Sequence, residues 1–240
     1  LAWLAVWTVV PRPLSRPAPM APKETLAAVA GWRDRLGRTL TTPGPWLIAF
    51  AFAVYTGQWM SVIGFLPTIY TQNNISWGMT GVLTALVALV NFSGNWMSGR
   101  LPQRGWSARQ TMATGYVVMG LGAVGAFWDW GGLQLPFAAR YACVVLFSAV
   151  GGLIPGTLFA CAVRLAPSED TVSTTVGWMQ QWSATGQFIG PLVVAWLAGA
   201  VGGWQWTWVV TLSMATMGLL LALRIQKALE LKTLAATSHG

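Results

Sequence analysis

The chain has 240 residues, of which 55% are hydrophobic and only 8% are charged, against about 25% charged in an ordinary soluble domain. Fourteen Lys and Arg against six Asp and Glu give a formal net charge of +8; in a soluble protein that balance suggests nucleic acid, but here the charges fall in loops between long apolar runs, and no nucleic-acid partner is expected. With two cysteines, one histidine in the tail and no phosphate-loop or dinucleotide motif, neither a metal site, a cofactor nor enzyme chemistry is expected.

Residues 39–99 run for 61 positions without Asp, Glu, Lys or Arg, and residues 171–223 for 53. About 20 apolar helical residues cross a bilayer, so each stretch holds two spans joined by a short turn. In chain order, residues 1–10 are apolar and end at Pro11-Arg12-Pro13. They lack the basic start and small-residue cleavage site of a signal peptide, and read as the end of a truncated transmembrane helix. Residues 11–44 are basic. Within them Leu26, Val29, Trp32, Leu36 and Leu40 recur at helical spacing, with Arg33, Asp34, Arg35 and Arg38 on other faces, the pattern of a helix lying along a membrane surface. The first complete span is placed at 46–70, the turn at 71–76, the second span at 77–97 and a loop at 100–109. The remaining spans are placed at 111–128, 136–163, 174–197 and 206–223. The expected fold is therefore an all-α membrane protein, a six-helix bundle over 45–224 followed by a tail over 225–240.

Cys143 and Cys161 share one apolar segment 18 residues apart, about 27 Å along a helix, too far for a disulfide within it. Both read as packing residues. Thirteen of the fourteen Lys and Arg lie on one side of the spans and only Arg140 on the other, which makes the basic side, and the C-terminus with it, cytoplasmic. Trp128, Trp130, Trp204 and Trp206 cluster at the opposite ends, as interfacial aromatic anchors do.

The loop after the second span reads Gly99-x-Leu101-x-x-Arg104, with Arg109 shortly after. This resembles the short cytoplasmic motif that major facilitator transporters carry between their second and third helices and repeat more weakly between the eighth and ninth. Gln103 and Trp106 depart from the stronger copy and suit the weaker one. Tyr55 to Trp59 followed by Phe65-Leu66-Pro67-Thr68, Gly151-Gly152-Leu153-Ile154-Pro155, and Gly186-Gln187-Phe188-Ile189-Gly190-Pro191 look like the seventh, tenth and eleventh helices of the cyanate-permease-like branch. The resemblance covers 46–223. It implies the C-terminal half of a twelve-helix secondary transporter, with the N-terminal half as partner, a lipid bilayer around it, and a bacterial inner membrane as the location.

Glycine and proline inside spans weaken a helix and are tolerated where neighbours or a cavity satisfy the freed backbone groups. Gly152 and Pro155 in the fourth span, and Gly190 and Pro191 in the fifth, are thus expected bends; close helix packing is the alternative. Three polar stripes fall within spans: Tyr55, Gln58 and Trp59; Asn91, Asn95 and Ser98; Gln180, Ser183 and Gln187. An amide in hydrocarbon needs partners, so these stripes face the bundle interior or a wet cavity. Tyr55, Gln58, Trp59, Asn91 and Gln187 are the expected contacts to a small-molecule substrate, with interhelical hydrogen bonding as the competing role. Arg140, one turn inside its span, is expected to bind an anion, to pair with Asp129 or to snorkel to the interface. No Asp, Glu or His lies inside a complete span, so this half supplies no intramembrane carboxylate for a coupling proton. The implied function is alternating-access transport of a small polar solute or anion, possibly cyanate-like in chemistry; a self-dimerising half-transporter or channel and a non-functional remnant are the alternatives.

Overall fold

The computed structural model describes residues 22–129 and 131–237, and every regular element among them is a helix. Residues 1–10, Arg12, Arg16, Trp130 and His239 lie outside the described residues, as do the side chains of Lys23, Leu26 and Val29. The helices are α1 (Pro22–Thr41), α2 (Pro43–Ile63), α3 (Leu66–Gln72), α4 (Trp77–Ser98), α5 (Ala108–Phe127), α6 (Phe137–Gly151), α7 (Leu153–Leu165), α8 (Val172–Val201) and α9 (Thr207–Thr237).

Five units are long and apolar enough to cross a membrane: Pro43–Gln72, Trp77–Ser98, Phe137–Leu165, Glu169–Val201 and Thr207–Ala235. They coincide with five of the six spans expected from the sequence. The third expected span, now α5, is not among them. It carries Arg109 in its first turn and Gly115, Gly120, Gly122 and Gly125 along its length, and glycine adds almost nothing to hydropathy. Packing holds α5 instead. Tyr116 is fully buried, its hydroxyl donates to the Ala51 carbonyl at 2.7 Å, and its ring occupies the space that a side chain at Gly218 would take.

Two expected spans are each two helices. The first breaks at Gly64 and Phe65 between α2 and α3, where Pro67 falls in the first turn of α3. A proline there has no intrahelical N–H to lose. The fourth breaks at Gly152, with Pro155 three residues on in the first turn of α7. The expected bend of the fifth span takes a different form, because α8 runs through Pro191 without interruption. The last span also differs from expectation: α9 continues past Leu223 to Thr237. Residues 224–237 contain no glycine or proline, and Gln226 donates to Glu230 one turn later at 2.8 Å, so nothing ends the helix at the membrane edge.

Helix ends are fixed locally. Ser107 and Gln110 form a reciprocal capping box at the start of α5, with Ser107 N to Gln110 Oε1 at 2.9 Å. Gly202 ends α8 in a left-handed conformation with φ +75°, a geometry that costs glycine little.

Neighbouring helices touch through glycine. Along α2 and α8, a Cβ on Gly186 would overlap the Ala53 carbonyl and one on Gly190 the Gly57 carbonyl; where α4 meets the α6–α7 break, a Cβ on Gly94 would overlap the Ala149 carbonyl and one on Gly152 the Asn91 carbonyl. This is the small-residue packing open to helices that gain no hydrophobic drive from each other in lipid. Across the first contact Thr56 Oγ1 donates to the Ser183 carbonyl at 2.9 Å. The two most open spans are α8 and α4, with 11% and 17% of their most apolar windows buried. Phe92 on α4 and Phe188 and Trp196 on α8 are each at least 70% exposed, apolar surface of an extent that calls for lipid or a protein partner.

At the basic end α1 is fastened to the turn between α7 and α8. Arg38 bonds Ser168 Oγ at 2.8 Å and both Asp170 oxygens, and lies 3.0 Å from Asp34. Lys232 on α9 caps α7 by donating to the Ala166 carbonyl at 2.6 Å. At the opposite end the expected aromatic belt is present in its described part, with Trp128 5.0 Å from Trp208 and Trp204 donating to Gln72 Oε1 at 2.8 Å.

The α2–α8 contact sets a test. Gly186→Val is expected to cost about 1–3 kcal/mol by overpacking a backbone that cannot retreat, whereas Gly177→Ala, with open space around it, is expected to be neutral or slightly stabilising. Thermal unfolding of both purified variants in one detergent checks this, and equal midpoints would refute the close approach.

Candidate functional site

Three helices converge on a polar network inside the bundle. From α4, Asn91 donates through Nδ2 to the Ser148 carbonyl of α6 at 2.8 Å and lies 3.1 Å from the Tyr55 hydroxyl of α2. One turn on, Asn95 Nδ2 donates to Asn91 Oδ1 at 3.0 Å. Trp59, one turn beyond Tyr55 on α2, donates to Ser148 Oγ at 3.2 Å. The glycine contact of α4 with the α6–α7 break makes these distances possible, because Asn91 and Gly94 share the stretch that faces Ala149 and Gly152.

Sequence spacing therefore brings together three of its expected contacts, Tyr55, Trp59 and Asn91, together with Asn95 of the same stripe. It missed Ser148, which accepts from two of them. A lone serine in an apolar helix usually bonds its own preceding turn and carries no signal.

The other expected contacts stand elsewhere. Gln58 is completely enclosed, and neither its Nε2 nor its Oε1 has a partner among the described residues. Gln187 is exposed on α8 and donates to Ser183 Oγ at 3.3 Å. Arg140 is far from the network. It does not pair directly with Asp129: its Nε donates to the Ala126 carbonyl at 2.7 Å and its Nη1 to Gln134 Oε1 at 2.6 Å, and Gln134 in turn donates to Asp129 Oδ2 at 3.0 Å. The relay ties the end of α5 to the start of α6. Among the described residues no group of three or more His, Cys, Asp or Glu could hold a metal ion.

The motif loop is built around Leu101, which is buried while its neighbours are exposed. Its carbonyl accepts from the Trp106 N–H at 3.1 Å, and Gly105 makes the turn between them with φ +81°. Gly99 caps α4, and the Arg100 guanidinium stacks on the Trp96 ring at 3.3 Å from its centroid. Arg104 and Arg109 are exposed, and the Arg109 N–H reaches Gln226 of α9 at 3.4 Å. The expected contact between this loop and a neighbouring helix is thus made by backbone.

What the arrangement offers chemically is hydrogen bonding without a charge: a phenol, an indole, two amides and a hydroxyl across three helices. Such a set orients a small polar solute or holds helices in register; it provides no general acid, base or nucleophile.

Comparison with known proteins fits this geometry. The family model of the Major Facilitator Superfamily matches residues 48–238. No curated protein matches. Among solved structures, the chain superposes on the major facilitator transporter FucP in its outward conformation with a TM-score of 0.67 at 15% identity, over 93% of this chain and 51% of that one. On a mutant peptide transporter POT in complex with sulfate the TM-score is 0.67 at 13% identity, over 81% and 42% of the two chains. On a bacterial homologue of the human lysosomal transporter Spinster, inward-facing and unoccupied, it is 0.63 at 15% identity, over 95% and 57%. The chain thus spans about half the length of these structures. With its apolar spans, its helical bundle and the family match over most of its length, this integral membrane protein belongs to the Major Facilitator Superfamily.

Proposed function

We propose that the chain forms one six-helix half of a secondary transporter, which moves a small polar solute or anion by rocking against a second half, and that α5 completes the six spans. The observation that carries this is the interior polar network of Tyr55, Asn91, Asn95, Ser148 and Trp59, set where α2, α4 and α6 meet. Polar groups at membrane depth are costly and mark substrate pathways when they gather. The break at Gly152 beside that network supports the reading, because interrupted helices line midplane sites in transporters. The open faces of α4 and α8 suit a second bundle, and the clustering of basic residues at one end supports a cytoplasmic C-terminus in a bacterial inner membrane.

In this scheme Trp59 and Asn91 present donors to the solute, while Tyr55 and Ser148 orient them. Gln187 reaches the solute from α8. Gln58 supports the scheme differently. A buried amide with no partner costs free energy where it is, so a second conformation that satisfies it gains stability relative to this one, as alternating access needs. Arg140 stands at the other end of the bundle, and the transport reading does not rest on it. A small anion such as cyanate is the proposed substrate class; the seventh, tenth and eleventh helix-like segments support it.

Uptake by the full transporter in proteoliposomes tests this with labelled cyanate beside neutral and cationic solutes of similar size. Protein-dependent accumulation of the anion is expected, and transport of neutral or cationic solutes alone would refute the anion reading. Gln187→Ala is expected to lower uptake on the order of tenfold, the cost of one hydrogen bond to a charged solute.

The network separates contact from scaffolding. Asn91→Leu is expected to cost about 1–2 kcal/mol of stability, because it strands the Ser148 carbonyl and the Tyr55 hydroxyl together; Tyr55→Phe is expected to cost about 0.6 kcal/mol, typical of one interhelical bond in a membrane. Reversible unfolding in mixed micelles measures both, and a stable Asn91→Leu protein would remove the network from the scaffold.

A further inference from the structure

A second cavity, of about 640 Å³, lies at the end of the bundle opposite the basic loops, between α3, the start of α4, the end of α5 and the start of α6. Its nearest α4 residue to the network, Leu83, is eight residues before Asn91, about 12 Å along the helix, so the two places are distinct. The walls are mostly apolar and aromatic. Tyr70 meets Phe137 edge-on at 5.7 Å between centroids, and Phe137 stacks with Tyr141 at 6.2 Å.

Two polar groups in this wall stand out from the rest. Tyr70 is 5% exposed, and its hydroxyl has no partner among the described residues. Tyr141 is different, since its hydroxyl donates to the Leu83 carbonyl at 3.1 Å. Arg140 is the one cation in the lining. Of its five N–H groups, Nε–H is given to Ala126 and one on Nη1 to Gln134. No acidic side chain pairs with it among the described residues, because Asp129 is taken by Gln134 and by the Gly132 N–H at 3.0 Å. The guanidinium is thus held rigidly from one side with its charge uncompensated, next to a buried hydroxyl in an apolar aromatic chamber.

We propose that this cavity is a binding site for a small organic carboxylate with an apolar or aromatic body. The carboxylate accepts from the remaining Arg140 N–H groups and from the Tyr70 hydroxyl, and the body lies against the Tyr70, Phe137 and Tyr141 rings. A planar two-oxygen acceptor matches the guanidinium fork and the added phenol donor. Rings of this kind favour a flat apolar group in edge or offset contact, which an inorganic anion lacks. The site lies outside the polar network proposed for transport, so it adds a second ligand position that the transport reading does not require.

The test uses labelled benzoate as probe, with the purified protein in lipid nanodiscs and equilibrium dialysis as readout. Saturable binding of benzoate is expected, with the neutral benzamide at least about tenfold weaker, and Arg140→Gln weakening benzoate by about tenfold or more, as loss of a charge-assisted pair implies. Tyr70→Phe, which removes one hydroxyl and leaves the ring contacts, is expected to weaken it by about threefold to tenfold. Benzamide binding as well as benzoate, or either variant binding benzoate like the parent, overturns the proposal. Should Arg140→Gln fail to fold because the Ala126 carbonyl loses its donor, the benzamide comparison and Tyr70→Phe decide the matter alone. Equilibrium binding is read without transport, so failure here is separable from failure of the uptake experiment.

Discussion

The bundle depends on two places where backbone meets backbone. Gly186 and Gly190 on α8 rest on the carbonyls of Ala53 and Gly57, and Gly94 and Gly152 interlock α4 with the break between α6 and α7. Lipid offers apolar side chains nearly as good an environment as another helix does, so the hydrophobic effect cannot hold spans together as it holds a soluble core. Dispersion at close range and hydrogen bonds that water cannot contest must do so, and both require short interaxial distances. Remove the glycines and the Thr56 to Ser183 bond at 2.9 Å and the Asn91 to Ser148 bond at 2.8 Å lose their geometry together.

This ordering explains why the polar network sits where it does. An asparagine amide alone in hydrocarbon is expensive. On α4, Asn91 is affordable because the Gly94–Gly152 contact brings a carbonyl freed near the helix break within its reach. The break and the network are then one feature: the interruption that weakens α6 and α7 locally also supplies the acceptor that pins α4. Steric fit comes first, hydrogen bonding follows from it, and the polar surface available to a solute is a consequence of both.

Much of this was legible in the sequence, for reasons that differ between features. Span positions follow from the length of apolar runs, which a bilayer makes nearly obligatory, and five spans are where hydropathy puts them. The stripe spacing of Tyr55, Trp59, Asn91 and Asn95 was legible because i, i+4 neighbours must share a helix face. Ser148 was not, since nothing local distinguishes a serine that bonds across helices from one that bonds its own turn. The α9 extension to Thr237 was hidden by a polarity change that marks the membrane edge but does not end a helix. Tyr70 was read only as a boundary, because its importance arises from α3, α4 and α6 meeting around it, and chain spacing cannot show that.

Polar groups in this bundle divide by whether the fold uses up their hydrogen-bonding capacity. Asn91, Ser148 and Thr56 are engaged across helices and hold the structure. Gln58 and Tyr70 are as deeply buried, yet their side-chain donors and acceptors find no partner among the described residues. A fold selected for stability alone would replace such groups with apolar ones of similar size, since an unpaired buried polar group costs roughly 1–3 kcal/mol. Their retention follows if each is satisfied in another circumstance: Gln58, sealed at 0% exposure, by a change of conformation, and Tyr70, in the wall of a cavity that also holds Arg140, by a ligand. The same test of unpaired capacity thus separates a conformational role from a binding role, with access to open space as the deciding variable.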